Sequence, residues 1–299
     1  MNPLAKYEYR VQTNTALMLA PWIATFIAFW MYPLGYALYL SFTDYNTLTN
    51  EAIWNNFDNY LRIWDDDTFW TALTNTSLFT FGTIPLTTAF ALVLAVLLNS
   101  NIRLKSFFRA AYFLPSVTSL VVVSLIFTNL YSASGYVNML LRALGLPYPT
   151  RGWLQEPSTA LGAIMAMDVW LWTGYYMVLL LAALQTIPND LYEAAELSGA
   201  STLQQFRMIT VPMLRPSLVF VFVINTIKSF QIFVEIYVMT KGGPLDATTT
   251  LVYMIYVNAF ERQDMMGYAC AVGYVVFFII LAFALVQMYF LQSGKAAAD

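Results

Sequence analysis

The sequence contains no histidine and only one cysteine, Cys270, among its 299 residues. Without histidine it can form no Ser-His-Asp triad, no His-ligated zinc site and no histidine general base. A single cysteine cannot form an intrachain disulfide, and no Cys/His cluster has metal-ligand spacing. These absences disfavour a hydrolase, although carboxylate chemistry stays open. The chain is therefore predicted to hold no catalytic residues, no metal and no cofactor of its own.

Charge is also scarce, because only 10% of the residues are charged whereas 59% are hydrophobic. A soluble globular protein carries charge on about 25% of its residues, so most of this chain must be surrounded by lipid. The net charge of −3 comes without a basic cluster, which argues against nucleic-acid binding. The sequence also lacks a Gly-x-x-x-x-Gly-Lys-Ser/Thr loop for nucleotide phosphates.

Long apolar stretches make up most of the sequence. Stretches of about 20 mostly apolar residues are needed to cross the ~30 Å hydrocarbon core of a bilayer. Six stretches qualify, and they cover residues 16–42, 72–98, 106–130, 158–187, 213–240 and 267–291. Since no internal repeat or low-complexity linker interrupts them, the sequence predicts an all-α membrane protein with six transmembrane helices in a single domain, residues 1–299.

The basic residues indicate the orientation of these spans. The termini and even-numbered loops hold eight Lys and Arg residues, whereas the odd-numbered loops hold five. Acidic residues are distributed the other way, with ten in the odd-numbered loops and five in the termini and even-numbered loops. Because basic residues near helix ends resist translocation, both termini are predicted to be cytoplasmic.

The predicted cytoplasmic loop 188–212 has a local pattern of its own. Pro188 ends the fourth span, and the Ala- and Glu-rich sequence after it favours a helix. Gly199 permits a turn, and Pro212 stands where a new helix, the fifth span, is expected to start. The loop is therefore predicted to form a helix-turn-helix across the cytoplasmic side, although an ordinary interfacial linker is the simpler alternative.

This loop resembles the EAA loop of binding-protein-dependent ABC importers. The matching residues, at the family's spacing, are Glu193, Ala194, Ala195, Gly199, Ile209 and Pro212. Val211 is a departure, since the family usually has Leu at that place. The exit of the fifth span, from Glu235 to Pro244, is similar to the carbohydrate-uptake subfamily, which often has Asp where this chain has Glu235.

The resemblance implies a type I ABC importer permease with a MetI-like core, in the inner membrane of a bacterial or archaeal cell. Such a permease would form half of the pathway for a sugar, an oligosaccharide or a related polyol or glycerol-phosphate compound. Its implied partners are a second permease, two ATP-binding subunits that bind ATP and Mg, and an extracytoplasmic solute-binding protein. The EAA residues would transmit the motion of the ATPase subunits.

Polar residues within the fifth predicted span are candidates for the substrate pathway, because ionisable groups in lipid are costly. Asn225, Lys228, Gln231 and Glu235 fall within about 120° of one another at about 100° per residue. If this span is one continuous helix, these four side chains form one polar stripe that faces the pathway.

The fourth span adds Asp168, Trp172 and Tyr175, which share a helical face. An aromatic plane beside hydrogen-bonding groups can stack on a sugar ring and bind its hydroxyls. The alternative is structural, in which Lys228 pairs with Glu235 or Asp168 merely to hold helices together.

Two other functions remain open on the sequence alone. An ion-coupled secondary transporter would also carry polar residues at mid-membrane, although such folds commonly show internal repeats. A membrane-embedded enzyme is a weaker alternative, because no nucleophile, base and orienting residue stand out.

Overall fold

A computed structural model describes residues 3–100, 102–262 and 264–292, with side chains between residues 14 and 289 of these ranges. The extreme chain ends, which the sequence places in the cytoplasm, lie outside the described residues. The described helices are α1 (Pro3–Phe26), α2 (Tyr32–Leu40), α3 (Asp58–Asp65), α4 (Asp67–Asn99), α5 (Lys105–Val117), α6 (Leu120–Leu130), α7 (Tyr136–Ala143), α8 (Pro157–Leu184), α9 (Asn189–Leu197), α10 (Thr202–Gln205), α11 (Val211–Phe230), α12 (Val234–Met239), α13 (Leu251–Tyr256) and α14 (Met266–Gln292). Three π-helical turns, Ile27–Met31, Phe206–Thr210 and Val257–Glu261, and one hairpin, β1 (Thr43–Asn46) with β2 (Glu51–Trp54), complete the elements.

Membrane-spanning helices make up most of this structure. In the described ranges, five helical stretches are long and apolar enough to cross a bilayer: Asn14–Leu40, Asp67–Asn99, Pro157–Leu184, Thr202–Met239 and Met266–Tyr289. A sixth span is obtained if α5 and α6 are counted together. The all-α membrane architecture with six spans therefore agrees with the prediction.

The third predicted span, residues 106–130, is a bent pair of helices, because α5 and α6 meet at an angle of 95°. Near the bend, two side-chain hydroxyl groups donate hydrogen bonds to backbone carbonyls of the last turn of α5. Ser116 Oγ donates to the carbonyl of Phe113 at 2.7 Å, and Thr118 Oγ1 donates to that of Leu114 at 3.0 Å. Hydroxyls of this kind compete with the helical hydrogen-bond ladder, and the backbone of Thr118 is extended.

The fifth predicted span also differs from its expected boundaries. Helix begins at Thr202, since Ser201 and Gln204 form a reciprocal capping box, and it runs through a π-helical turn into α11. Pro212 therefore lies inside a longer helical run and does not start it. The π-helical turn Phe206–Thr210 comes directly before Pro212, and it changes the hydrogen-bond pattern of the helix where the proline follows.

The same span is interrupted between α11 and α12, at Gln231 to Phe233. Phe233 has φ −143° and ψ −57°, which is outside the helical region. The carbonyl freed at Ile232 accepts a hydrogen bond from Thr250 Oγ1 at 3.2 Å. A tertiary partner thus satisfies a backbone group that the break would leave exposed to an apolar environment.

The chain divides into two compact units, the first of which comprises Met1–Asp65 and Ile255–Tyr274. Its hairpin is antiparallel, with Thr43 opposite Trp54. The buried amide of Asn59 donates to the carbonyls of Ser41 and Thr43 at 3.1 and 2.9 Å, which fixes α3 beside the hairpin. Gly267 is required at its place because a Cβ there would overlap the carbonyl oxygen of Thr43.

The second unit comprises Asp66–Met254 and Val275–Asp299. Its centre is the packing of α4 along α8, with α5 and α11 also against α8. Gly174 on α8 lies so close to α5 that a Cβ would overlap the carbonyl of Tyr112. Buried side chains on α4, α8 and α11, including Ala91, Met177 and Leu214, form a continuous apolar core. This packing holds the polar residues of α8 and α11 in fixed positions.

Candidate functional site

An ion pair joins α8 and α11 inside the second unit. Lys228 Nζ donates to Asp168 Oδ1 at 2.7 Å. The Asp168 side chain is 1% exposed and the Lys228 side chain is 25% exposed. The sequence left two partners open for Lys228, namely Glu235 and Asp168. In the described structure Lys228 donates its hydrogen bond to Asp168.

Trp172 lies under the same ammonium group. Lys228 Nζ is 4.1 Å from the centroid of the Trp172 ring, a cation–π contact, and Tyr175 packs edge-on against this ring with centroids 6.0 Å apart. The indole N–H of Trp172 is buried without a hydrogen-bond partner in the described part of the chain, and the carboxyl group of Asp168 also interacts with that of Glu235. Asp168, Trp172 and Tyr175 therefore lie together on α8, and of these three Trp172 lines the cavity described next, whereas Asp168 and Tyr175 do not.

A cavity of about 390 Å³ adjoins this cluster. Its walls come from α6, α8, α11, α12 and the break between the last two, and they are formed by Leu120, Trp172, Ile224, Ile227, Lys228, Gln231, Ile232, Phe233, Val234 and Glu235. Both helix interruptions meet here, since Leu120 begins α6 just after the 95° bend. Interrupted helices at membrane depth are tolerated where the irregular backbone lines a cavity, and they mark substrate sites in transporters.

Glu235 is the second carboxyl group of the site. It is 3% exposed, it lines the cavity, and it interacts electrostatically with both Asp168 and Lys228. The polar wall thus consists of the Lys228 ammonium, the Glu235 carboxyl group, the Gln231 amide and the Trp172 ring.

The single polar stripe predicted for the fifth span is wrong. Because the helix is interrupted at Gln231 to Phe233, the angle of 100° per residue does not apply from Lys228 to Glu235. Lys228, Gln231 and Glu235 still line one cavity, but Asn225 does not. Asn225 is 1% exposed, and its amide nitrogen is buried without a partner in the described structure.

Sequence reasoning missed the residues that hold the loop after α12. The buried amide of Asn75 on α4 donates to the carbonyls of Asp246 and Thr249 at 2.9 and 3.0 Å. Next to it, Thr76 Oγ1 accepts from the backbone N–H of Leu251 at 3.0 Å. The pattern Asn75-Thr76-Ser77 resembles a glycosylation sequon. The signal that could have identified these residues is the pair of polar side chains, Asn75 and Thr76, at the end of an otherwise apolar span.

The EAA-like loop forms the predicted helix-turn-helix. Helix α9 ends in a Schellman motif, with Gly199 N–H bonded to the Glu196 carbonyl and Ala200 N–H to the Ala195 carbonyl, both at 2.9 Å. Gly199 has φ +77°, a left-handed conformation that favours glycine. The turn therefore depends on the glycine that the sequence identified.

The same loop is anchored on one face and exposed on the other. Tyr192 Oη and Thr210 Oγ1 are hydrogen-bonded at 2.9 Å, and Tyr192 and Ile209 pack on the apolar core of the second unit. Glu193, Ala194, Gly199 and Pro212 are exposed and Ala195 is half-buried. Four large apolar side chains are exposed as well: Leu191, Leu197, Leu203 and Met208. Exposed apolar groups in one segment indicate a protein-protein contact.

Metal binding has no support in this geometry. In the ranges that the structure describes, no three His, Cys, Asp or Glu side chains are grouped as a metal site. Asp168 and Glu235 are the two carboxyl groups near the cavity, and one of them already pairs with Lys228.

Comparison with known proteins connects this geometry to a family. The profile described as "Binding-protein-dependent transport system inner membrane component" matches residues 87–293. The chain is 36% identical over 285 residues to the lactose transport system permease protein LacF of Rhizobium radiobacter, covering 94% of this chain and 95% of that protein. It is 32% identical to the trehalose/maltose transport system permease protein MalF of Thermococcus litoralis, covering 100% of this chain and 99% of that one.

The fold agrees with a solved transporter. A chain in the crystal structure of a bacterial ABC transporter that imports the acidic polysaccharide alginate has a TM-score of 0.82. The match is 23% identical and covers 97% of this chain and 98% of that chain. The helical cavity, the EAA-like loop and the matched length together identify this chain as a member of the family of binding-protein-dependent transport system inner membrane components, the permease subunits of ABC importers.

Proposed function

We propose that this permease carries a sugar, an oligosaccharide or a related polyol or glycerol-phosphate compound, and that the 390 Å³ cavity is part of its pathway. The observation that carries the proposal is the meeting of an aromatic ring, an ammonium group, an amide and a carboxyl group at two helix interruptions. Such groups can stack on a sugar ring and bind its hydroxyls. The names of LacF and MalF, a lactose and a trehalose/maltose permease, support the same substrate class.

Coupling to ATP hydrolysis is assigned to the EAA-like loop. Glu193, exposed on α9, would face a basic residue of an ATPase subunit, and the exposed apolar side chains of the loop would enter a groove on that subunit. Ala194, Ala195, Gly199, Ile209 and Pro212 would shape this contact. Because the loop is anchored on the core of the second unit, its displacement would move the helices α8 and α11 around the cavity.

The chain is a transport subunit and not an enzyme, so other subunits must supply the energy. We infer an assembly with a second permease, two ATP-binding subunits that hold ATP and Mg, and an extracytoplasmic solute-binding protein. The multi-pass chain would lie in the inner membrane of a bacterial or archaeal cell with both termini in the cytoplasm. The family match gives no support to the ion-coupled alternative.

Replacement of the polar wall tests the pathway. Three wall variants should lower uptake of the transported sugar or change the range of sugars carried: Gln231→Ala, Glu235→Gln and the double variant Asp168→Asn with Lys228→Met, which leaves neither member of the buried pair alone. Assembly and basal ATPase activity should persist. Asn225→Ala is the control on the same span, because Asn225 is buried away from the cavity wall. If the three wall variants lose assembly with the partner permease, and charge-swapped pairs restore it, the cluster has a structural function only.

A further inference from the structure

A larger cavity, of about 860 Å³, lies between α4, α5 and α8. We propose that it binds an acyl chain of an anionic phospholipid, whose headgroup lies on the basic residues Arg103, Lys105 and Arg109 at the start of α5. This ligand is a component of the membrane and not the transported substrate. The proposal therefore does not depend on the function proposed for the 390 Å³ cavity.

The bend in the third span leaves space beside α8. Gly174 lets α5 approach α8 closely at Tyr112, but after the 95° bend α6 packs chiefly against α12. The face of α8 next to this space has small, exposed residues, Gly162 and Ala166, which also line the cavity. The helices thus form a groove where a straight third span would have continued along α8.

The walls of this groove are apolar. No Asp, Glu, Lys, Arg, Asn or Gln is among the described residues that line it, and the hydroxyl of Thr173 donates to the Val169 carbonyl of its own helix. The lining side chains of Phe90, Phe107 and Trp170 are each at least half exposed, so the groove opens sideways from the chain. Such walls suit a hydrocarbon chain that enters from the bilayer, whereas a sugar would find few partners for its hydroxyls.

The groove has the length of one leaflet of the membrane. Its lining residues lie within 86–94 of α4, 107–115 of α5 and 162–174 of α8, which correspond to about 12, 12 and 18 Å at 1.5 Å per residue. Half of the ~30 Å hydrocarbon core is about 15 Å. An acyl chain of one leaflet therefore fits along the groove, with its headgroup at an end.

The basic residues stand at the end where α5 begins. Lys105 lies on the same face of α5 as Phe108 and Tyr112, three and seven positions later, and both of these line the groove. Arg109 follows Lys105 by one turn, and Arg103 precedes the helix by two residues. Because α4, the third span and α8 cross the membrane in turn, this end is on the same side as the EAA-like loop, the predicted cytoplasmic side.

These three cations have no acidic counterpart nearby in the sequence. No Asp or Glu occurs between Asp67 and Glu156, and within the described ranges no carboxylate pairs with any of the three. Lys105 Nζ is 3.4 Å from the carbonyl of Asn99, a long contact with a neutral group. Lys105 and Arg109 also repel each other, since they are like charges one turn apart. A lipid phosphate supplies the opposite charge, and basic residues beside membrane helices on the cytoplasmic side are typical of anionic headgroup sites.

A phospholipid is the one occupant that accounts for both features. Inorganic phosphate would bind the cations but would leave the apolar groove without a ligand. An apolar helix of another subunit would fill the groove but would leave the cations without an anion. A zwitterionic lipid would fill the groove, but its own cationic group would offset the attraction to the three basic residues.

A fluorophore in the groove tests the proposal. Phe90→Cys in a Cys270→Ser background is labelled with bimane, whose rings take the place of the phenyl group. The importer is assembled with cysteine-free partner subunits in nanodiscs of phosphatidylcholine. A small fraction of this lipid is replaced by phosphatidylglycerol or by phosphatidylcholine with brominated acyl chains, which quench the dye on contact. Phe278→Cys on α14 is the control site, because Phe278 is 61% exposed and Phe90 is 53% exposed.

We expect brominated phosphatidylglycerol to quench the dye at position 90 about fivefold more strongly than brominated phosphatidylcholine, and both to quench it equally at position 278. The double variant Lys105→Gln with Arg109→Gln should bring the ratio at position 90 close to one. The control Arg142→Gln with Arg151→Gln removes the same charge from the segment between α6 and α8, and it should leave the ratio unchanged.

The other possible occupants give different results. Excess inorganic phosphate should leave the ratio at position 90 unchanged, because it has no acyl chain, and loss of the ratio would instead identify a site for free phosphate. A helix of another subunit in the groove would prevent quenching at position 90 by either brominated lipid. Either result, or a ratio of one in the parent protein, overturns the proposal.

Discussion

Gly199 allows the EAA-like loop to be perturbed through its backbone alone. Its φ of +77° belongs to the left-handed region, and it closes the Schellman motif at the end of α9. A Cβ at this position would meet no atom within 4 Å, so a substitution changes the conformational preference without a steric clash. The series Gly199→Asn, Gly199→Ala and Gly199→Val therefore grades one quantity, the free energy of the left-handed turn.

The magnitude follows from backbone sterics. The left-handed conformation costs an L-residue about 1–2 kcal/mol, Asn less because its side chain tolerates it, and a β-branched residue the most. A cost of about 1–2 kcal/mol lowers the relative population of the native turn by about 5- to 30-fold. Ala should thus fall near the lower value, and Val at or above the upper one.

The assay is sugar transported per ATP hydrolysed in the reconstituted importer. We expect the order Gly, Asn, Ala, Val, from best to worst coupled, with equal insertion in the membrane. Gly145 is a matched control, because it has φ +69°, open space around a Cβ and the same pair of hydrogen bonds at the end of α7. Gly145→Val should leave coupling unchanged. Wild-type coupling in Gly199→Val, or equal loss in Gly145→Val, would refute this role of the turn.

Three further predictions concern the ion pair, the loop anchor and the topology. Lys228→Met should lower the unfolding free energy of the solubilised complex by about 3–5 kcal/mol, since the 1% exposed Asp168 carboxylate loses its cation, and adding Asp168→Asn should recover most of it; no recovery would contradict the pairing. Asn75→Leu removes two hydrogen bonds to the loop after α12. It should lower the free energy of unfolding by about 1–3 kcal/mol and increase the rate at which a protease cleaves that loop. A cysteine at Asp66 should react with an impermeant reagent from outside and one at Ser201 only after permeabilisation, whereas the opposite result would invert the orientation.

The sequence predicts the parts of this fold that depend on local chemistry. The length of the apolar stretches alone identifies the spans, because stretches of this length and composition match the hydrocarbon core of a bilayer. The turn at Gly199 follows from the residue type that its conformation requires. The helix start at Thr202 could also have been predicted from the sequence, because Ser201 and Gln204 have the spacing of a capping box.

The interruptions could not be predicted, because the hydrogen bonds found at them are ones that the sequence pattern does not specify. The Thr118 hydroxyl could equally have pointed away from the Leu114 carbonyl. The Ile232 carbonyl, which the break in the fifth span frees, finds its partner in Thr250, 18 positions further along the sequence. A periodicity argument assumes a continuous helix, so it cannot place Glu235, which lies beyond the break on α12, relative to Lys228 on α11. Asn225 lies on α11 with Lys228, and it is buried away from the cavity wall.

The exposure of the ion pair bears on whether it is only structural. A pair that only joins α8 to α11 has no need of a cavity beside it, because its attraction is strongest where water is excluded, although each enclosed charge also costs desolvation free energy. Here only Asp168 is enclosed, whereas Lys228 keeps a quarter of its side chain exposed, lines the cavity and covers the Trp172 ring. The carboxylate therefore orients the ammonium from behind, and the ammonium and the ring form a surface that a ligand can reach. A purely structural pair requires the contact between Asp168 and Lys228, but it does not require an exposed ammonium group and an aromatic ring on a cavity wall. The geometry therefore favours the proposed pathway wall.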